Sequence, residues 1–151
     1  MTGKPFGLRC DEGPGQGGSA LPDERRPTSQ RESQDEKEGE MKGMFIKSKG
    51  IPFEELKPDV HRRILGYIDN LMAVEVRFQK GAIGEVHSHR HAQTGYVLEG
   101  SFQVEVEGKK EVLKRGDCYF AEPHIMHGVV CLEDDSTLLD IFTPIREDFL
   151  K

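Results

Sequence analysis

Residues 87–93 read His-Ser-His-Arg-His-Ala-Gln, and this stretch organises the rest of the chain. Residues two apart on a strand point to the same face, so His87 and His89 are predicted to present their imidazoles together. Gln93, four residues past the second histidine, adds a neutral oxygen, and a later Pro-His-Ile-Met-His run supplies His127. Such a set suffices for a divalent ion with open coordination positions. We therefore expect a mononuclear metal site.

The chain around this stretch consists of short β-like runs separated by turn residues. Residues 101–107 alternate between apolar and polar side chains, which is typical of a half-buried strand in an antiparallel sheet. Phe53 to Leu56 and Arg146 to Lys151 are the segments predicted to form a short helical turn. The other strand candidates are residues 60–68, 71–79, 95–98, 111–113, 117–121, 128–132 and 137–142. Many short strands at this spacing predict an all-β sandwich or barrel, and their total length suits a jelly roll.

Residues 1–43 differ in composition from residues 44–151. The first 40 residues hold seven glycines, four prolines and fifteen charged side chains, with few large apolar residues. Such a segment cannot bury enough apolar surface to offset the entropy of ordering it. We predict a disordered, low-complexity tail at 1–43 and a single domain at 44–151. The alternative that translation starts at Met41 or Met44 stays open.

Charge and cysteine content exclude several classes of protein. The formal net charge of −6 and the absence of a basic stripe argue against a nucleic-acid partner. No stretch is long and apolar enough to span a bilayer, and the first thirty residues lack the apolar core of a signal peptide. Three cysteines without CxxC spacing argue against a disulfide framework and favour a cytoplasmic location. Cys118 is expected to be a buried small apolar residue rather than a nucleophile.

Residues 138–146 carry a second informative pattern. Period two puts Asp140 and Phe142 on one face of a strand, with a leucine and an isoleucine on the other. An acid in an apolar strand is costly unless it is paired, hydrated or in a cavity. In one interpretation Asp140 faces the barrel interior near the metal and Arg146 closes over the mouth. In the other, Asp140 pairs with Arg77 of a neighbouring strand and Arg146 is exposed.

The remaining histidines are given lesser roles. His91 follows the first two at the same spacing, and we expect it to face solvent, with a contact behind the metal or to substrate as the alternative. His124, in the loop before the last ligand, is predicted at the pocket edge or the surface. His61 is predicted to be a strand residue outside the site.

Glycines and a proline stand at fixed distances from the predicted ligands, namely Gly81, Gly100, Gly116 and Pro123. With the histidines they resemble the two cupin motifs, G-x5-H-x-H-x3-E-x6-G and G-x5-7-P-x2-3-H. The resemblance implies a small type-2 cupin, an RmlC-like jelly-roll β-barrel also described as a double-stranded β-helix. Gln93 stands where the motif has glutamate, so the site is neutral and a bound ion keeps its full charge. Such an ion is a stronger Lewis acid toward an anionic substrate, and the site suits ferric iron poorly.

Three longer runs make the resemblance more specific: residues 87–100, the Pro-x3-His-Gly loop at 123–128, and Asp-Ile-Phe-Thr-Pro-Ile-Arg-Glu-Asp-Phe-Leu at 140–150. Over residues 44–151 the chain is similar to the KdgF-type cupins of pectin degradation. That family binds its ion through residues that match His87, His89, Gln93 and His127. One divalent ion is therefore implied, with zinc, nickel, iron and manganese as equal candidates.

The same resemblance implies an isomerase that opens the ring of 4,5-unsaturated monouronates, from pectin or alginate breakdown, to the linear keto sugar acid. Asp140 matches the residue expected to act as the base, Arg146 matches a clamp for the sugar carboxylate, and Phe142 matches a ring that stacks under the sugar. The alternatives are a non-catalytic cupin that binds a small acid and, ranked third, a metal-dependent dioxygenase. A homodimer is the default expectation for so small a cupin.

Overall fold

The computed structural model describes residues 43–151. The predicted disordered tail therefore lies outside the described residues, apart from Gly43. Within the described part, no helix has the length and apolar character needed to cross a membrane.

Ten antiparallel strands form two sheets, as expected for an all-β jelly-roll barrel. One sheet has six strands in the order β1-β2-β3-β10-β5-β8, and the other has four in the order β4-β9-β6-β7. The strands are β1 Glu54–Lys57, β2 Val60–Ile68, β3 Leu71–Phe78, β4 Ile83–His87, β5 Ala92–Glu99, β6 Ser101–Val106, β7 Lys109–Lys114, β8 Cys118–Ala121, β9 His127–Cys131 and β10 Ser136–Thr143. Two 3₁₀ helices, Ser48–Gly50 and Glu147–Leu150, flank them. The predicted fold class is confirmed.

The core lies between the two sheets and is built by strand alternation. On β6, Phe102 and Val104 are buried as the apolar–polar pattern predicted. The Phe102 ring packs edge-on against Phe78 of β3, with ring centroids 5.3 Å apart, and so joins the two sheets. Burying a side chain of this size contributes roughly 1.5–3 kcal/mol to stability. On β10, the same alternation turns Leu138, Asp140 and Phe142 inward.

Three local predictions need correction. Phe53 to Leu56 was predicted as a helical turn, but Glu54–Lys57 is an edge strand because it pairs with β2, Glu54 opposite Arg62. Cys118 is exposed, because β8 is the other edge of the six-stranded sheet and the alternation there turns Tyr119 inward. A strand was predicted through His87 and His89, but β4 spans Ile83–His87; its earlier residues were missed, since they are mostly exposed and show no apolar alternation. The predicted turn at the C-terminus is confirmed by the second 3₁₀ helix.

The β5–β6 turn leaves no room for a side chain at Gly100. Its φ is +75°, and a Cβ there would lie 2.0 Å from Ser136 Oγ and 2.9 Å from the Ser136 Cα. Gly108, in the β6–β7 turn, has a similar φ of +77° but no atom within 4 Å of an added Cβ.

We expect Gly100→Ala to lower the free energy of unfolding by about 3 kcal/mol, from left-handed strain and overlap together. Gly108→Ala, the matched control, should cost only about 1 kcal/mol because it adds the strain alone. Urea titrations of both variants test this, and equal losses would contradict the assignment of overlap at Gly100.

Candidate functional site

Three of the predicted ligands converge at one end of the barrel. His87 ends β4 and His127 begins β9, and the two are direct partners across the ladder between these strands. His89 lies two residues beyond the end of β4, so it reaches the same point from a loop rather than from the strand that the spacing predicted. One nitrogen from each ring lies within 4.8 Å of the others. The structure thus brings these histidines into metal-binding distance.

Backbone carbonyls set which ring nitrogen of each histidine carries the proton. The Nδ1 atom of His87 lies 2.7 Å from the Glu85 carbonyl oxygen, and that of His127 lies 2.8 Å from the Ile125 oxygen. The Nδ1 atom of His89 lies 3.0 Å from the oxygen of His91. A carbonyl oxygen only accepts, so each Nδ1 donates and each Nε2 of a neutral ring keeps its lone pair.

Gln93 of β5 completes the centre with an oxygen. Its Oε1 lies 3.0 Å from the Nε2 atom of His89 and 3.0 Å from that of His127. The amide is held in this orientation because its Nε2 donates to the Tyr119 hydroxyl at 3.1 Å. Burial raises the pKa of Tyr119 well above its usual value, with the Asp140 charge adding to the effect, so the phenol stays neutral.

The two Nε2 atoms and the Gln93 oxygen cannot form hydrogen bonds with one another while both imidazole rings are neutral. With Nδ1 protonated, lone pairs on His89 and His127 face the lone pairs of the Gln93 oxygen. Protonating the rings would relieve this, but burial lowers the pKa of His89 to about 4 and also lowers that of His127. A cation at the point of convergence satisfies every acceptor at once. The donor set therefore fits a divalent ion bound by imidazole and amide oxygen.

Asp140 lies in the barrel interior close to this centre. Its Cα partners are Val74 and Gly95 of the adjacent strands. The residue is 9% exposed, and its Oδ1 has no hydrogen-bond partner among the described residues. Burial raises the pKa of Asp140 to about 7, against smaller opposing effects of the Gln93 side chain and the Arg146 charge. A carboxyl group with this pKa is suited to take or give a proton near neutral pH.

The alternative pairing of Asp140 with Arg77 is wrong. Arg77 is opposite Thr137, three residues away along β10, and its guanidinium lies over the Phe53 ring at 4.3 Å. The inward interpretation of Asp140 is therefore the one that the structure supports.

Arg146 follows β10 and lies over the apolar wall of the cavity. Its guanidinium carbon is 5.2 Å from the Phe142 ring centroid and 4.3 Å from that of Phe149. Nε and Nη2 donate to the two carboxylate oxygens of Asp148 at 3.0 and 2.8 Å. This pairing lowers the pKa of Asp148. Phe142 is buried and packs edge-on against His89, with ring centroids 5.8 Å apart.

A cavity of about 300 Å³ joins these groups. Of the predicted site residues, its lining includes His87, Gln93, His127, Asp140, Phe142 and Arg146. Sequence reasoning missed Tyr119, Arg62 and Phe149, which also line it. Arg62 carried a usable signal, since it lies on the same face of its strand as Val60 and Ile64. Tyr119 carried none, because its role depends on a partner 26 residues away.

The lesser histidines lie in three different environments. His91 was expected to face solvent, yet it is only 6% exposed, and neither ring nitrogen has a partner among the described residues. The reason is that the chain turns between β4 and β5 and packs this ring against His89, centroids 5.3 Å apart. His124 is exposed as predicted, and its N–H donates to the His89 carbonyl at 2.7 Å. His61 lies on β2 away from the cavity lining.

Comparisons with known proteins agree with this geometry. The family model described as "Cupin domain" matches residues 74–142. A pectin degradation protein KdgF from Dickeya dadantii is 50% identical over 111 residues, covering 73% of this chain and all of that one. The structure of KdgF from a Halomonas species has a TM-score of 0.70 at 42% identity, over 71% of this chain and 98% of that one. An RmlC-like cupin from Shewanella frigidimarina has a TM-score of 0.67 at 44% identity, over 71% and 96%.

The Dickeya relative is matched along its whole length at 50% identity, which is enough to establish a common fold and family. The chain therefore belongs to the KdgF family of cupins.

Proposed function

We propose that this protein is a metal-dependent isomerase that opens the ring of 4,5-unsaturated monouronates to the linear keto sugar acid. The observation that carries the proposal is the buried carboxyl of Asp140, with one oxygen unpartnered, in the same cavity as Gln93, His127 and Arg146. The name of the Dickeya relative, a pectin degradation protein, supports a substrate derived from pectin.

The cavity has the size and charge for a single sugar acid. A volume of about 300 Å³ is at the lower end of the range for small-molecule sites, which suits one pyranose ring. Among the described residues that line it, three are cationic, Lys57, Arg62 and Arg146, against one acid, Asp140. The excess positive charge favours an anionic ligand over a neutral sugar.

The proposed reaction begins at the anomeric hydroxyl. Asp140 takes the hydroxyl proton, the C1 carbonyl forms, and the bond from C1 to the ring oxygen breaks. The electron pair goes to the ring oxygen, which becomes an enolate conjugated with the C4–C5 double bond. Asp140 then returns the proton to C4, which leaves a ketone at C5 and no net gain or loss of atoms. A bound divalent ion supplies positive charge that stabilises the developing enolate oxygen.

The other side chains orient the substrate. Arg146 keeps three N–H donors beyond those used on Asp148, and a guanidinium offers two parallel hydrogen bonds to a carboxylate. Phe142 provides a buried apolar wall beneath it. In this proposal they bind the sugar carboxylate, and the anomeric hydroxyl is left for Asp140.

Metal dependence gives the first test. We expect a chelator to abolish the loss of ultraviolet absorbance of a 4,5-unsaturated monogalacturonate, and a divalent ion to restore it. His127→Ala should lose the ion, measured by elemental analysis, and lower kcat/KM by more than about 100-fold. His124→Ala, an exposed histidine of the preceding loop, is the matched control and should keep both. An unchanged ultraviolet absorbance in the presence of metal-loaded protein would instead support a cupin that binds a small acid without catalysis.

Asp140→Asn tests the base. The variant keeps the shape of the side chain but cannot accept the hydroxyl proton, so kcat should fall by about 10²–10⁴-fold with metal content unchanged. If the metal-loaded variant opened the ring at the wild-type rate, Asp140 would not be the base.

The homodimer and the cytoplasmic location remain predictions, which sedimentation and cell fractionation address.

A further inference from the structure

Arg62 lies on the wall of the same cavity, on the inward face of β2. Arg62 pairs with Val76 of β3 in the strand register, and Val60, two residues before Arg62, pairs with Phe78. Val60, Val76 and Phe78 all belong to the hydrophobic core. The Arg62 side chain is only 13% exposed. A cation at an inward barrel position is costly to bury without a partner, and the ionic partner of Arg62, Glu54, lies on the solvent-exposed edge strand β1.

Arg62 and Arg146 are each held by an exposed carboxylate. Arg62 donates from Nε and Nη2 to one oxygen of Glu54, Oε1, at 3.2 and 2.8 Å, and Arg146 donates from the same two nitrogens to the two oxygens of Asp148. Both guanidinium groups lie over the Phe149 ring, with carbons 4.1 and 4.3 Å from its centroid. The Phe149 ring of the C-terminal 3₁₀ helix is thus in contact with two arginines, and both of them line the cavity.

The charges of these pairs do not cancel inside the cavity. The side chains of Glu54 and Asp148 are 60% and 54% exposed, whereas both arginine side chains are 13% exposed. Solvent and salt screen the carboxylates much more than the guanidinium groups. Each arginine also keeps its Nη1 group free of its carboxylate partner. The wall formed by Arg62, Arg146 and Phe149 is therefore positive and rich in N–H donors.

We propose that Arg62 is a second specificity residue, which contacts the carboxylate of the sugar acid together with Arg146. This inference rests on the proposed function, because it takes the uronate as the ligand. If Arg62 served only to fasten β1 to β2 through Glu54, its guanidinium would have no need to lie at an inward position on the cavity wall.

Steady-state kinetics with 4,5-unsaturated monogalacturonate test the inference. Arg62→Gln should raise KM by roughly 10- to 100-fold and leave kcat within about threefold, since it removes a binding contact remote from the reacting carbon. Arg62→Lys should give an intermediate KM, because lysine keeps the charge but not the two-pronged contact.

Arg63→Gln is the matched control. Arg63 lies next to Arg62 on β2, is similarly buried, pairs with Glu75, and lies over the Phe53 ring at 4.4 Å, yet it faces away from the cavity. We expect the KM of Arg63→Gln to equal that of the wild type. Thermal melting of every variant verifies folding, and Arg62→Met, which keeps much of the packing over Phe149, replaces the glutamine variant if that one melts early.

Calorimetry with saturated galacturonate, which lacks the C4–C5 double bond and so cannot form the C5 ketone, separates this inference from the proposed function. The metal-loaded wild type should bind it, and Arg62→Gln should weaken the Kd at least tenfold. Binding with no turnover of the unsaturated sugar would overturn the isomerase while the Kd ratio still decides the role of Arg62. Normal turnover with wild-type KM and Kd in a folded Arg62→Gln protein would overturn the role of Arg62 alone.

Discussion

Lone pairs on ring nitrogens of His89 and His127 face the amide oxygen of Gln93 at 3.0 Å, and none of these atoms can donate to another while the rings are neutral. The arrangement is maintained because each of these groups also forms a hydrogen bond on the side that faces away from the centre. Carbonyl oxygens accept from the Nδ1 atoms, and the Tyr119 hydroxyl accepts from the amide nitrogen. The rest of the barrel can be described as the support for this converging set of acceptors, since β4, β5, β8 and β9 each supply one part of it.

A second constraint is the buried carboxyl of Asp140, whose Oδ1 has no hydrogen-bond partner among the described residues. Burying an acid lowers stability unless it is fully compensated, and the raised pKa of Asp140 shows that burial outweighs the effects of Gln93 and Arg146. Groups of this kind are found where function requires them. Here the flanking strands β3 and β5 hold the backbone of Asp140 by direct pairing, so the carboxyl is fixed toward the cavity.

The cationic wall of the cavity is built from both ends of the described residues. β2 supplies Arg62, the segment after β10 supplies Arg146, and Phe149 in the final 3₁₀ helix lies against both. Exposed carboxylates hold the two cations from the solvent side. Together with Lys57, the two cations concentrate positive charge in a cavity that is lined, among the described residues, by one acid, Asp140. In this protein the replacement of the usual cupin glutamate by Gln93 works in the same direction, because it removes a negative charge from the centre.

The sequence by itself determined the features that depend on short-range periodicity. Alternation on β6 predicted its buried face, alternation on β10 put Asp140 on the same face as Phe142, and the histidine spacing identified groups that converge; which of the two interpretations of Asp140 holds was decided by the structure. Tertiary structure decided what depends on distant partners: the burial of His91, the anchoring of Gln93 by Tyr119, and the stacking of Arg62 and Arg146 on Phe149. The physical reason is that side-chain direction along a strand follows from the backbone period alone, whereas which side chains meet across the barrel depends on the order of strands in the two sheets.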